Sequence, residues 1–287
     1  MNIIEGVIRC TGIKNRFTSQ KKINSILDKN KKNKEYKILN FKFKSNINKE
    51  KINDNDIYHF YKKENETVII YLHGGAYVNN PLLFHLLFID KIVDNSDIDV
   101  YLPIYPLAPN YTYKEAYDFL LTCYKKLLKK GKKIILMGDS AGGGLALGFS
   151  LFLKEKEITQ PYKLVLISPW LDVTMSNKNI KEYEKKDPIL ASYGLVEIGK
   201  VWANELDLKD YKVSPIYADF KGLPDILLFT GNREIFYPDI ILLNKKLKRS
   251  NVKTKLIIGE NMQHIYPLYR FKERKKALLE IYKFIDK

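Results

Sequence analysis

The chain has 287 residues, of which 45% are hydrophobic and 29% are charged, so a disordered or fibrous protein is excluded. Lys and Arg number 49 and Asp and Glu number 33, which gives a formal net charge of +16. The basic residues are scattered and seldom cluster with aromatic side chains, a pattern that favours a solvated surface over a nucleic-acid site.

The first 55 residues are rich in Lys and Asn and only weakly periodic. They predict a short helix over residues 21–30 and a strand over residues 36–44. The residues that follow predict a further strand over 57–62. These elements alone do not indicate a fold class.

From residue 67 onward, apolar runs alternate with helical patterns. The runs are typical of strands buried on both faces and cover residues 68–72, 100–104, 134–137, 164–167, 226–229 and 255–258. The helices are predicted over residues 82–93, 113–129, 142–156, 238–248 and 273–285. This alternation predicts an α/β fold with a mostly parallel central sheet and helices on both faces.

One long interval, residues 172–219, interrupts the alternation and contains helical patterns over 179–184 and 192–204. Long insertions between sheet strands are usually functional, and a lid is a common form. We therefore expect a single domain over residues 1–287, with a cap built from about 1–35 and about 173–213.

The sequence Gly138-Asp139-Ser140-Ala141-Gly142 contains GxSxG between a predicted strand and a predicted helix. This context is the one that the nucleophile elbow of serine hydrolases requires. A sharp turn there exposes the serine Oγ, and the helix N-terminus offers free N–H groups to developing negative charge. Ser140 is the predicted nucleophile.

A serine nucleophile needs a base, and the chain has four histidines. His59 and His85 fall within a predicted strand and helix and are interpreted as structural or exposed, whereas His73 belongs to a glycine motif. His264 follows the last predicted strand, so its loop reaches the edge of the sheet where Ser140 lies. His264 is the predicted base.

The acid that orients the base is expected after the strand over 226–229, because the chain order in this architecture is serine, acid, histidine. Glu234 and Asp239 are the two candidates in that loop. Glu234 is favoured by its position in the loop, since Asp239 falls in the first turn of the next helix, where a negative charge has a structural explanation.

The segment His73-Gly74-Gly75-Ala76-Tyr77 directly follows a buried strand. Successive glycines let the backbone approach a substrate and point N–H groups at a developing oxyanion. The predicted oxyanion donors are Gly74 and Gly75, with Ala141 after the nucleophile. His73 is expected to orient the loop.

These motifs together resemble the hormone-sensitive-lipase-like (HSL) carboxylesterase family of the α/β-hydrolase superfamily. The family's conserved segments are matched by residues 73–77 (HGGAY), 105–109 (YPLAP), 138–143 (GDSAGG), 168–172 (SPWLD), 187–188 (DP), 214–219 (SPIYAD) and 262–264 (MQH). The resemblance runs from about residue 57 to the end of the chain. It departs from the family at Glu234, where Asp is usual, and at Ala76, where a third glycine is usual.

The resemblance implies a serine hydrolase that cleaves short-chain carboxylic esters through an acyl-enzyme. Hydrolysis of arylformamides or other amides by the same triad is the alternative. A non-catalytic ligand-binding protein, as in the related gibberellin receptors, is disfavoured because those receptors lack the histidine that His264 supplies.

We expect a small-molecule ester as the partner, with a homodimer as one option, and neither nucleic acid nor stable membrane insertion. No cofactor or metal is expected, because neither Cys10 nor Cys123 lies in a ligand cluster. No signal peptide or apolar run of ~20 residues is found, so the expected location is cytoplasmic.

Overall fold

The computed structural model describes residues 9–32, 35–38, 41–52 and 54–286. Its centre is an eight-stranded sheet with the spatial order β1-β2-β4-β3-β5-β6-β7-β8. The strands are Asn46–Ile52 (β1), Asn55–Tyr61 (β2), Thr67–Leu72 (β3), Asp99–Pro103 (β4), Lys133–Asp139 (β5), Lys163–Ile167 (β6), Asp225–Gly231 (β7) and Thr254–Gly259 (β8). β1 and β2 are antiparallel to their neighbours, and the other six strands are parallel.

Eight α-helices of the described chain accompany the sheet. They are Gln20–Lys31 (α1), Leu83–Asp94 (α2), Tyr113–Lys129 (α3), Ser140–Glu155 (α4), Ile180–Lys186 (α5), Ser192–Ala203 (α6), Tyr237–Arg249 (α7) and Lys272–Ile285 (α8). The mostly parallel α/β architecture predicted from the alternating pattern is confirmed. In this part of the chain, no helix is both long and apolar enough to cross a membrane.

The apolar runs are explained by burial on both faces of the sheet. Along β3, Val68, Ile70 and Leu72 belong to one hydrophobic core, whereas Ile69 and Tyr71 belong to the other. Since successive strand side chains point to opposite faces, such a strand contains no alternating polar positions. The continuous run is therefore the signature of a central strand.

The strand predicted over residues 36–44 is wrong where the structure describes it. Residues 36–38 and 41–43 form no strand, and residues 39–40 lie outside the described residues. Phe43 packs edge-on against Phe60, so the apolar positions serve the core without joining the sheet. The sheet's first strand is instead β1, which contains only two apolar residues and was missed. Pairing with β2 explains its strand conformation, because hydrogen bonds to a neighbour need no apolar side chain.

The insertion between β6 and β7 carries the two predicted helices, α5 and α6. The N-terminal segment, residues 9–31, packs against both of them. Arg9 donates to the Lys186 carbonyl at 3.0 Å, near the end of α5. A Cβ on Gly194 of α6 would lie 2.6 Å from the Phe17 Cα, so the two backbones are in close contact. Residues 9–31 and the insertion therefore form one continuous layer.

Candidate active site

The strand β5 runs directly into α4 through a turn centred on Ser140. Ser140 has φ +53°, a left-handed backbone conformation that few side-chain-bearing residues adopt. A Cβ on Gly142 would lie 2.0 Å from the Leu72 carbonyl oxygen, and one on Gly138 would lie 2.4 Å from the Gly142 carbonyl oxygen. The turn therefore requires glycine on both sides of Ser140, which is the physical content of the GxSxG pattern.

Three side chains predicted from the sequence lie in one hydrogen-bonded line. Ser140 Oγ is 2.9 Å from His264 Nε2, and His264 Nδ1 is 2.5 Å from Glu234 Oε2. A carboxylate only accepts hydrogen bonds, so Nδ1 carries the proton and Nε2 is free to accept one from the serine. Glu234 is 94 positions after Ser140, and His264 is 30 positions after Glu234, yet each of the three residues follows a strand of the parallel sheet.

The second oxygen of Glu234 is fully occupied. Oε1 accepts from Thr230 Oγ1 at 2.6 Å, from the Gly231 N–H at 2.9 Å and from Ser168 Oγ at 2.9 Å. Ser168 Oγ in turn accepts the Ile265 N–H at 3.0 Å. This network fixes the carboxylate and ties it to the loop that carries His264.

His264 lies in a buried, negatively charged environment. Burial lowers the pKa of His264, but the hydrogen bond and the charge of Glu234, with further contributions from Asp187 and Asp139, outweigh it and raise the pKa above its ordinary value. The surrounding carboxylates therefore stabilise the imidazolium that forms when the histidine takes a proton.

Asp239, the alternative acid, lies elsewhere. It is in the first turn of α7, as predicted, and its Oδ1 accepts from Asn177 Nδ2 at 2.7 Å. Burial raises the pKa of Asp239 to about 6. Within the described residues it makes no hydrogen bond to His264, so the geometry favours Glu234 as the orienting acid.

The remaining histidines make structural contacts. His59 stacks on Tyr101 with ring centroids 4.1 Å apart, and His85 accepts the Leu82 N–H on Nδ1 at 2.9 Å. His73 stacks on Tyr105, and its Nδ1 lies 2.8 Å from the Gly74 carbonyl oxygen. Burial lowers the pKa of His73 to about 3, so this ring stays neutral and holds the glycine loop.

The glycine loop differs from its prediction at Gly74. The Gly74 N–H donates to Asp139 Oδ1 at 3.0 Å, and a Cβ there would lie 2.2 Å from Asp139 Oδ2. An N–H used in this way cannot also bind a substrate oxygen, so the expectation for Gly74 is corrected: it anchors the loop. The N–H groups of Gly75 and Ala76 have no acceptor among the described residues. Ala141 is the second residue of α4, where helix N–H groups lack an intrahelical partner.

Sequence reasoning gave no role to Ser168, Thr230 or Asp139. Each lies within one residue of the C-terminal end of a parallel strand, at the same edge as Ser140. Burial raises the pKa of Asp139, but His85, whose Nε2 lies 3.4 Å from Asp139 Oδ2, and the hydrogen bonds from Tyr71 and the Gly74 N–H outweigh it and lower the pKa. Strand-end position was the available signal, but polar residues at strand ends are too common to select these three.

Within the described residues, no group of three or more His, Cys, Asp or Glu side chains is arranged to hold a metal ion. The chemistry that the site offers from its own side chains is acyl transfer through a serine.

Comparison with known proteins identifies relatives over most of the chain. A profile of the α/β hydrolase fold family matches residues 69–268. An esterase of Acinetobacter venetianus is 32% identical over 223 residues, which cover 76% of this chain and 74% of that protein. The crystal structure of a protein described as an esterase from Staphylococcus aureus superposes on this chain with a TM-score of 0.91 at 30% identity, covering 98% of this chain and 96% of the other. The structure of EstE5 soaked with p-nitrophenyl butyrate gives a TM-score of 0.85 at 26% identity, with 98% and 96% covered.

Proposed function

Because the chain belongs to the hormone-sensitive-lipase-like esterases of the α/β-hydrolase fold and is a carboxylic ester hydrolase, we propose that Ser140, His264 and Glu234 carry its reaction. The observation that supports these roles is the line of two hydrogen bonds from Ser140 Oγ through the His264 ring to Glu234 Oε2. It unites a nucleophile, a base and an orienting acid in the order that acyl transfer needs.

In the first half of the reaction, Ser140 Oγ attacks the ester carbonyl carbon and its proton passes to His264 Nε2. The tetrahedral intermediate collapses, the bond to the alkoxy group breaks, and His264 returns the proton to the departing alcohol. In the second half, His264 takes a proton from water as the water attacks the acyl-enzyme. The second tetrahedral intermediate collapses, the bond from the acyl carbon to Ser140 Oγ breaks, and His264 gives its proton to Oγ as the acid is released.

The carbonyl oxygen gains negative charge in both halves and needs preorganised donors. We propose the N–H groups of Gly75, Ala76 and Ala141 for this role, with Asp139 holding the loop through Gly74. Ala76 has φ +53°, in the left-handed region that favours the glycine usual in the family, so the alanine is held there at a steric cost.

The proposed substrates are small esters with short acyl chains. Ser140 is 8% exposed and His264 is 3% exposed, so a bound acyl group would lie within the protein. The relatives are named esterase, acetyl-hydrolase and lipase, and none of these names supports the amide alternative.

We further propose a single domain with a cap built from about residues 1–35 and about 173–213, supported within the described residues by the contact between Phe17 and Gly194. A cytoplasmic location is proposed from the two free thiols, which fit a reducing compartment. A homodimer is proposed through the outer edge of β8, which has no partner strand among the described residues and where Ile258 is 37% exposed.

The experiment that tests the triad is replacement of the nucleophile. Ser140→Ala removes the only group that can form the acyl-enzyme, and kcat on p-nitrophenyl acetate should fall on the order of 10⁶-fold. Ser150→Ala is the matched control: Ser150 is buried in the same helix but bonds to Gln160, and its loss should leave kcat near the parental value. A serine-directed phosphonate should label Ser140 alone. Parental activity in Ser140→Ala, or labelling of another serine, would overturn the assignment.

A further inference from the structure

A second buried carboxylate lies next to the proposed triad, at the end of the helix α5. Asp187 is 0% exposed. Its Oδ1 accepts the N–H groups of Ile189 at 2.7 Å and Leu190 at 2.9 Å, within its own loop. Its Oδ2 accepts the Ile235 N–H at 2.8 Å, across 48 residues of chain. All three donors are backbone groups of neutral residues, so no basic side chain neutralises the carboxylate at these contacts.

The distant donor is the residue that follows Glu234. The backbone at Ile235 is thus held by the insertion, while the Glu234 carboxylate is held by Ser168, Thr230 and the His264 ring. Two sets of contacts therefore fix the loop: one comes from residues at the edge of the sheet, and the other comes from the insertion. A shift of Asp187 would therefore move the Glu234 backbone relative to His264.

Asp187 is itself anchored by the N-terminal segment. Lys14, in the 3-10 helix Ile13–Phe17, donates from Nζ to the Asp187 carbonyl oxygen at 2.8 Å and also to the Glu184 carbonyl oxygen. An unbroken chain of contacts runs from Lys14 through Asp187 and the Ile235 N–H to the loop of Glu234. It links residues of the insertion and of the N-terminal segment to the reacting groups.

We propose that Asp187 is a positioning residue for ester hydrolysis: from the insertion, it fixes the loop of Glu234 and adds a second negative charge that stabilises the His264 imidazolium. This inference rests on the proposed roles of Ser140, His264 and Glu234. It assigns to the insertion a part in the chemistry as well as in covering the site.

The charges around these groups agree with that role. Burial raises the pKa of Asp187 above its ordinary value, although the charge of His264 and the backbone N–H groups of Ile189, Ile235 and Leu190 oppose the increase; these groups are therefore what favours the charged carboxylate. The charged groups facing His264 are Glu234, Asp187 and Asp139, and each of them raises its pKa. Lys14 faces Asp187 from the other side, where burial lowers the pKa of the lysine and Asp187 opposes this decrease.

The test is Asp187→Asn, which keeps the shape of the side chain and removes its charge. An amide cannot accept at both ends, so one of the three N–H bonds is lost with the charge. We expect kcat on p-nitrophenyl acetate to fall about 10- to 100-fold, as small misplacements of catalytic groups do, with little change in KM. The base must be neutral to act, so kcat/KM falls as pH drops through the pKa of His264. Without the Asp187 charge that pKa decreases, and the acid limb should move to lower pH.

The matched control is Asp239→Asn, which removes another buried carboxylate at the junction of insertion and core, where Asn177 binds it. It should change neither kcat nor the acid limb. A direct readout is the low-field proton resonance of His264 Nδ1–H, which should titrate at lower pH in Asp187→Asn than in the parent and in Asp239→Asn. A purely structural role for Asp187 would leave this titration unchanged in the folded protein.

If Asp187→Asn fails to fold, as judged by circular dichroism, Lys14→Met carries the test. This variant keeps the Asp187 carboxylate but removes the hydrogen bond from Lys14 Nζ to the Asp187 carbonyl oxygen. It should lower kcat and shift the His264 Nδ1–H resonance. Parental kcat and an unmoved resonance in the folded variant tested would overturn the proposal.

A Glu234→Gln variant distinguishes failure of the proposed triad from failure of the role of Asp187. If Glu234→Gln is active, the proposed triad fails; if it is crippled while Asp187→Asn equals Asp239→Asn at every pH, only the role of Asp187 fails.

Discussion

At the scale of single residues, the choice of acid depends on where a carboxylate can reach. Glu has one methylene more than the Asp that is usual in the resembled family, and Glu234 reaches His264 Nδ1 while its other oxygen accepts three hydrogen bonds. Asp239 is only five positions further on, yet the turn into α7 directs it to Asn177. Loop conformation, rather than distance along the chain, separates the two candidates.

We predict that Glu234→Gln lowers kcat on a short-chain ester by on the order of 10³–10⁴-fold, because the imidazole loses its orientation and its cation loses its support. The nucleophile and the oxyanion donors remain, so activity above the uncatalysed rate should persist. Initial rates of p-nitrophenyl butyrate hydrolysis measure the effect, and circular dichroism confirms folding. Asp239→Asn should stay near the parental rate; the reverse ranking of the two variants would make Asp239 the acid.

At the scale of elements, the N-terminal segment and the insertion pack as closely as two parts of a core. Phe17 is 8% exposed, and the 3-10 helix around it lies against Gly194 of α6 with no room for a side chain between them. Tyr193 OH donates to Gln20 Oε1 at 3.0 Å beside this contact. The two sequence-distant segments are therefore expected to cover the site as one unit.

We predict that Gly194→Leu separates this unit while leaving the sheet intact, because a Cβ added at residue 194 would lie within 2.7 Å of both Phe17 Cα and Cβ. Limited proteolysis should then cut within residues 9–31, and KM for p-nitrophenyl butyrate should rise several-fold. Tyr193→Phe, which removes one hydrogen bond from a ring that is 45% exposed, is the control and should resist cleavage as the parent does. Equal protease resistance in the two variants would show that the contact does not hold the segment.

At the level of the whole molecule, Ser140, Glu234 and His264 are buried at the carboxyl edge of the sheet, and the insertion contacts the loop of Glu234 through Asp187. The described chain has no helix able to cross a membrane, and the exposed large hydrophobic residues are spread over separate elements.

We predict that kcat/KM is highest among acetyl to hexanoyl esters and does not rise beyond hexanoyl. A pocket with room would gain about 0.8 kcal/mol for each further methylene buried, so a plateau or fall marks the end of the pocket. A series of p-nitrophenyl esters of increasing acyl length measures this, with Ser140→Ala as the blank and an arylformamide as a test of amide cleavage. Strong activation at an oil–water interface, or preference for long-chain triglycerides, would contradict the prediction.

The parallel sheet and the sharp turn at Ser140 could be predicted from the sequence, because each is encoded locally. Strands buried on both faces must be continuously apolar, and the elbow needs glycines where two backbones nearly touch. The strand β1 could not be predicted from an apolar run, because it has few apolar side chains and is stabilised by its backbone pairing with β2. The strand expected over residues 36–44 was wrong in its described part for the converse reason: Tyr36 and Phe43 pack on the core without strand pairing.

Only the tertiary structure decided which groups are already occupied. The Gly74 N–H looks free in the sequence, but the fold places Asp139 against it, so the glycine anchors the loop and is unavailable to substrate. The contacts of Ser168 with Glu234 and of Asp187 with the Ile235 N–H join residues 66 and 48 positions apart. No local pattern encodes such pairs, because a hydrogen bond between loops depends on where the sheet and the insertion place both backbones.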